Sequence, residues 1–328
     1  MLIIDALQYN NPHRDRFEEW LAGGLGCVHV TLAIWENARE TLSVIGQWNR
    51  LLEQNADLIA LARTGQDIEA IAASGRTAVV FGFQDTSPFE DDIELVEVFH
   101  QLGVRIAQLT YNVQNRVGAG CWEDDSLGVS KFFGRNVIAE MNRVGMLVDV
   151  SHCTERTCFD AIEHSARPIA ITHANPQEFV GTDIELNRRN MSTDLIRALA
   201  EAGGVIGLSN YPKIMKGGSD CTLETFLDMV AWTVDLVGAD AVGLGTDFYD
   251  GWPVSQIKWW RAGRWARESA VPITGFSDWP SWFQSSKDFP QVLDGMKKRG
   301  FSADEVAKIA GGNWLSLFSE SFKPTTGS

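Results

Sequence analysis

Short apolar runs recur along the chain, most ending in a polar or small residue and separated by amphipathic stretches. They cover residues 2–6 (L-I-I-D-A), 26–34 (G-C-V-H-V-T-L-A-I), 77–83 (T-A-V-V-F-G-F) and 104–110 (V-R-I-A-Q-L-T). Four more follow at 146–150 (M-L-V-D-V), 168–172 (P-I-A-I-T), 204–208 (G-V-I-G-L) and 241–246 (A-V-G-L-G-T). Most are near-continuous, as in parallel strands buried on both faces. The stretches between them read as helices. Residues 88–102 set Ile93, Val96, Val98 and Phe99 near helical spacing, with Asp91, Asp92 and Glu94 early, where the helix dipole favours acids. Residues 130–145 start at a serine and end on Gly145, and 192–204 opens with S-T-D and closes on Gly203 and Gly204. Eight strands alternating with helices predict an α/β fold, a (β/α)₈ TIM barrel, as one domain over residues 1–320 with no short-period repeat.

Two regions fall outside that alternation. Residues 250–290 hold Trp252, Trp259, Trp260, Trp265, Trp279 and Trp282 after the last strand, and are expected to form a cap loop over the C-terminal mouth of the barrel. Residues 321–328 read as a flexible tail.

Composition narrows the partners. A formal net charge of −15 leaves no excess of Lys and Arg to neutralise phosphates, which argues against nucleic acid. No apolar run reaches the roughly 18–20 residues of a membrane helix, and the first strand follows the N-terminal Met with no basic region, so neither membrane nor signal peptide is expected. Five cysteines without a C-x-x-C pair suit a reducing cytoplasm better than a disulfide framework.

Chemistry in such a barrel sits at the C-terminal ends of strands. There the sequence offers Gln84 after the third strand, Tyr111 after the fourth, His152 after the fifth, His173 in the sixth and Asp247 after the eighth. Two imidazoles from successive strands facing a carboxylate are a ligand set suited to a divalent metal such as zinc. His29, His100 and His164 are read as structural, as is His13, although a loop places it where it could swing in. Cys153 follows His152, but neighbouring side chains on a strand point apart, which argues against a thiolate ligand.

Further stretches carry a resemblance. Residues 140–152 (E-M-N-R-V-G-M-L-V-D-V-S-H), T-H-A-N at 172–175, R-R-N at 188–190, A-E-A-G-G-V-I-G at 200–207 and G-T-D-F at 245–248 resemble the membrane (renal) dipeptidase family in order and spacing. That resemblance implies a (β/α)₈ metallohydrolase, usually dimeric, that cleaves dipeptides with two zinc ions. Residue by residue, it implies that His152 and His173 hold one zinc. It also implies that Asp247 handles the proton of the attacking water and that Arg189 binds the substrate carboxylate, with Asn190 beside it.

The departures cluster. The family's first strand ends D-G-H-x-D, and here it reads Asp5-Ala6-Leu7-Gln8-Tyr9, so the His and Asp ligands of the other zinc are replaced. Gln84 stands where the bridging glutamate would, and Tyr111 where a histidine contacts substrate. The expectation is therefore a hydrolase of an amide or related C–N bond with one divalent metal at most, zinc being the candidate. Its substrate is an anionic, dipeptide-like small molecule lined by Arg189, Tyr111, Gln84, Tyr9 and Asn190, and its expected form is a homodimer. Two alternatives stay open: a metal-free or non-hydrolytic enzyme with Tyr9 and Tyr111 as oxyanion donors, and a binding protein without turnover.

Overall fold

The computed structural model describes residues 1–182, 187–264, 267 and 277–325. Among them are nine strands: β1 (Ile3–Gln8), β2 (Leu25–Ala33), β3 (Ile59–Leu61), β4 (Thr77–Phe83), β5 (Val104–Gln108), β6 (Leu147–Asp149), β7 (Ala170–Ala174), β8 (Val205–Leu208) and β9 (Val242–Leu244). Eight pair in parallel in the order β1-β2-β4-β5-β6-β7-β8-β9, and β3 pairs with β4 off that path. The eight correspond to the eight apolar runs. The three-residue β3 lies outside them because Leu58 to Leu61 is too short a run to stand out.

The barrel closes at a seam between its first and last strands. The Asp247 amide donates to the Leu7 carbonyl at 3.1 Å and the Tyr9 amide to the Phe248 carbonyl at 2.9 Å. Thr246 adds its amide (2.8 Å) and hydroxyl (2.5 Å) to the two carboxylate oxygens of Asp5. At the N-terminal end of the barrel, Trp314 of the helix Asn313–Ser321 donates its indole N–H to the Leu244 carbonyl at 3.0 Å. A Cβ on Gly243 would lie 2.2 Å from that indole nitrogen, so this position needs glycine.

The helices follow the predicted signals, with one difference. Phe133–Val144 ends on Gly145 at φ 89°, and Thr193–Glu201 is capped by Ser192, whose hydroxyl accepts from the Leu195 amide. The stretch predicted as a helix over 88–102 is helical only over Glu94–Gln101. Ser87–Phe89 forms a separate 3-10 turn and Glu90 takes a left-handed φ of 51°, which interrupts the regular bonding.

Of the expected cap, Val254–Ala262 is a helix, and Trp265 lies outside the described residues. Of the expected tail, Phe322 is buried and stacks on Phe318 at 5.0 Å, and Thr325 bonds through its amide and hydroxyl to the carbonyls of Arg143 and Asn142. Residues 326–328 lie outside the described residues. All five cysteines are free and buried, and no helix of the described residues is long and apolar enough to cross a membrane.

Candidate active site

Buried Asp149 ties together the two strand ends that carry the histidines. It accepts from the Ser151 amide and hydroxyl (3.0 and 2.5 Å) and from the Thr172 amide and hydroxyl (3.1 and 2.6 Å). Thr172 has given its proton to Asp149, so its oxygen accepts from His173 Nδ1 at 2.8 Å. Asn112 presents Oδ1 to His152 Nδ1 at 2.7 Å, and a carbonyl oxygen can only accept. Each imidazole therefore carries its proton on Nδ1 and a lone pair on Nε2.

The two Nε2 atoms lie 3.0 Å apart. Burial first, then the guanidinium of Arg189, holds both rings well below the usual histidine pKa, so both are neutral. Two neutral nitrogens aiming lone pairs at each other at that distance repel unless a cation sits between them. His152 lines the central pocket, and His173 is buried beneath it.

Asp247 faces the same pocket from the seam, with a left-handed φ of 56°. Non-glycine residues in that region are uncommon and concentrate at functional positions. Asn112, at φ 62°, is another in the mouth. Burial raises the Asp247 carboxyl to about 7; Arg189 and Arg261 pull it down and Asp5 pushes it further up.

Arg189 is buried in the 3-10 turn Asn187–Arg189 and lines the pocket. Its guanidinium also donates to the Ser151 carbonyl and, at 2.9 Å, to the His173 carbonyl, bracing both histidine-bearing strands. Asp183 and Glu185, the acids with which it could instead pair, lie outside the described residues. Asn190, expected at the substrate, is not among the pocket residues. Its side chain accepts from the Asn175 amide (3.2 Å) and donates to Ile214 O (3.1 Å) and Asn187 Oδ1 (3.2 Å), so it staples the loop. His13 precedes the helix Arg14–Ala22, half-exposed and 4.0 Å from Asp15, away from the pocket.

The other half of the mouth is built by packing. Leu7 is fully buried, and Tyr9 sets its ring 5.3 Å from Trp252 and 5.1 Å from Trp260. Tyr111 stacks on His152 with ring centroids 4.3 Å apart. Gln84 donates to Thr31 Oγ1 at 2.8 Å, and its backbone carbonyl accepts from Gln108. Tyr9, Gln84 and Tyr111 all line the pocket, whose cavity is about 60 Å³.

Asn112, Trp122, Tyr211, Tyr249, Ile257, Trp260 and Arg261 also line it, and the strand-end reading did not reach them. A signal existed for Tyr211, which follows β8 by three residues, and for Arg261, an arginine inside the tryptophan-rich stretch.

The implied metal can be tested against these donors. Among the described residues no three His, Cys, Asp or Glu side chains gather closely enough to enclose an ion. The facing Nε2 lone pairs fit one cation, with the rest of its shell left to water or substrate. Leu7, Tyr9 and Gln84 do not fit a second, because an alkyl side chain offers no donor, a neutral phenol is a poor one, and a neutral amide cannot bridge two cations as a carboxylate does.

The family model for membrane dipeptidases (peptidase family M19) matches residues 12–259. An amidohydrolase from Pseudomonas aeruginosa superposes with a TM-score of 0.92 at 33% identity, over 98% of this chain and 96% of that one. A metallopeptidase from Rhodobacter sphaeroides, solved with a phosphinate mimic of the dipeptide L-Ala-D-Ala, shares the fold with a TM-score of 0.81 at 16% identity, over 98% and 99% of the two chains. Dipeptidase tcpJ of Claviceps purpurea is 27% identical over 285 residues, 86% of this chain and 60% of that protein. The chain thus spans less than two thirds of the length of that curated relative.

Proposed function

The chain belongs to the membrane dipeptidase family, and from that premise we propose that it is a metal-dependent hydrolase with a single-ion site. The bond cleaved is an amide or related C–N bond in a small, dipeptide-like carboxylate. The observation that carries this reading is the His152–His173 pair, whose Nε2 atoms face each other 3.0 Å apart and can turn their lone pairs to one cation. Their Nδ1 protons are already committed to Asn112 and Thr172, the outer bonds that orient metal-bound histidines. A divalent ion held there supplies Lewis acidity to the scissile carbonyl and to the attacking water.

The chain's own groups do the rest. Asp247 accepts the proton of the water as it adds to the carbonyl carbon, then returns it to the nitrogen as the C–N bond breaks. Arg189 attracts the substrate carboxylate and holds the two histidine strands in register. The rings of Tyr9, Tyr111 and Trp260 keep bulk water from the reacting atoms. On the same reading the ion is zinc, the five free thiols suit the cytoplasm, and the family's habit supports a homodimer.

Calorimetric titration of the metal-stripped protein with zinc tests the reading directly. The expected result is one ion per chain, with binding lost in His152→Ala. Two ions per chain would end the single-ion site, and none would end metal dependence.

A further inference from the structure

The hydrolase reading leaves the substrate's nitrogen end open, and the charges lining the pocket bear on it. We propose that the pocket takes an N-acylated amino acid, a carboxylate whose other end is an uncharged apolar acyl group, in preference to a free dipeptide. The inference rests on the hydrolase reading for the bond that is cut, and on the pocket walls for the choice between the two.

A free dipeptide brings an ammonium that must find an anion. Among the described residues lining the pocket, the formally charged side chains are Arg189, Arg261 and Asp247. If Asp247 paired with an ammonium, it would be taken from the water whose proton it must accept. Other acids behind the walls are already committed, Asp5 to the Thr246 amide and hydroxyl. Glu36 accepts from the Ile34 and Trp35 amides and from the Trp259 indole, outside the pocket lining. Asp85 accepts from the Tyr111 amide, from Ser87 and from Asn115, also outside it.

Aromatic faces can hold a cation by themselves, so their occupancy matters. Arg261 lies with its guanidinium 5.8 Å above the Trp122 ring and donates to the Tyr211 hydroxyl at 3.2 Å. A pocket that already holds two guanidiniums, one of them over a ring, repels a third cation and attracts an anion. What remains toward Tyr9, Tyr249 and Trp260 is a wall of rings, with Trp260 centroids 5.1 and 5.7 Å from the two tyrosines. Such a wall suits an apolar acyl or aryl group.

Two residues of this wall and the second cation lie outside the segment that the family model matches. The match runs from residue 12 to residue 259, while Tyr9, Trp260 and Arg261 lie outside it. Part of the pocket wall that sets the preference is thus contributed by residues beyond the matched segment, while Tyr249 and Arg189 lie within it.

3-Phenylpropanoyl-alanine and phenylalanyl-alanine differ only by the α-ammonium, and each can be made with L- or D-alanine. Their affinities, read from tryptophan quenching and calorimetry on the zinc-loaded full chain, test the inference without relying on turnover. The acyl compound is expected to bind at least tenfold more tightly in the preferred stereoisomer. Arg261→Gln is expected to shrink that ratio to about threefold or less, with an unchanged melting temperature.

Equal or tighter binding of the dipeptide, or no binding of either compound, would overturn the preference. An intact ratio in Arg261→Gln would overturn the role of that arginine. Tight, selective binding of the acyl compound with no product released would sink the hydrolase reading and leave the preference standing.

Discussion

The two halves of the barrel mouth are held by different forces. At the ends of β6, β7 and β9, His152, His173 and Asp247 are surrounded by hydrogen bonds running back to Asp149, Asn112 and the seam. At the ends of β1, β4 and β5, Tyr9 and Tyr111 are held mainly by ring contacts, with Gln84 tied to a neighbouring threonine. The difference teaches that one barrel mouth can be held on one side by hydrogen bonds and on the other by packing. The carboxylates that stitch the strand ends together, Asp5 and Asp149, sit one layer below these side chains and are present on both sides.

The largest expected effect separates chemistry from packing. Asp247→Asn keeps the side-chain shape but removes the proton acceptor, so hydrolysis should fall by about 10²–10⁴-fold. Turnover within a few-fold of the parent would assign the base elsewhere.

The parent's pH–rate profile sharpens the same point. In the metal-free protein the carboxyl sits at about 7, and a divalent ion in the same pocket would favour its ionised form, so rate should rise with pH along a limb displaced below 7 and drop about tenfold per pH unit beneath it. Stability should run the other way. A buried acid raised above its unfolded value favours the fold while protonated, and that contribution fades as pH rises from about 4 through 7. Above pH 7 the Asn variant should therefore melt at or above the parent's temperature.

On the packed side, Leu7→Ala removes a fully buried side chain and should cost about 2–5 kcal/mol in denaturant unfolding. A loss under 1 kcal/mol would mean that this half is not held by packing.

The smallest effect expected is at Arg189. Lysine cannot span the Ser151 and His173 carbonyls while also presenting a fork to a carboxylate. Arg189→Lys should weaken binding of small acids by about tenfold and leave their neutral amides nearly unchanged. Equal losses for acids and amides would reduce Arg189 to a brace for the strands.

The barrel was legible in the sequence because parallel strands buried on both faces leave near-continuous apolar runs, and eight of them are hard to arrange otherwise. β3 escaped because three residues carry no period, and the helix over 88–102 was overextended because Pro88 and the left-handed Glu90 break it without breaking its apolar spacing. In the site, the strand-end rule singled out Gln84, Tyr111, His152 and Asp247, which line one pocket, and His173, which meets His152; Tyr9 and Arg189, which also line it, came from the family resemblance. It could not reach Asn112 or Arg261, whose positions depend on loop conformation and on how the cap helix crosses the mouth. Nor could it tell that Asn190, adjacent to a pocket arginine, spends its amide on the loop, since neighbouring residues in a turn face different ways.

The seam has a consequence in time. Asp247 bonds to Leu7, and Thr246 to Asp5, 241 residues earlier in the chain. As the chain leaves the ribosome, β1 and both histidine strands are made long before the segment that closes against β1. The nascent protein therefore carries both imidazoles without their carboxylate partner until synthesis passes Asp247. Hydrolytic competence should switch on in a single late step, when the last strand docks.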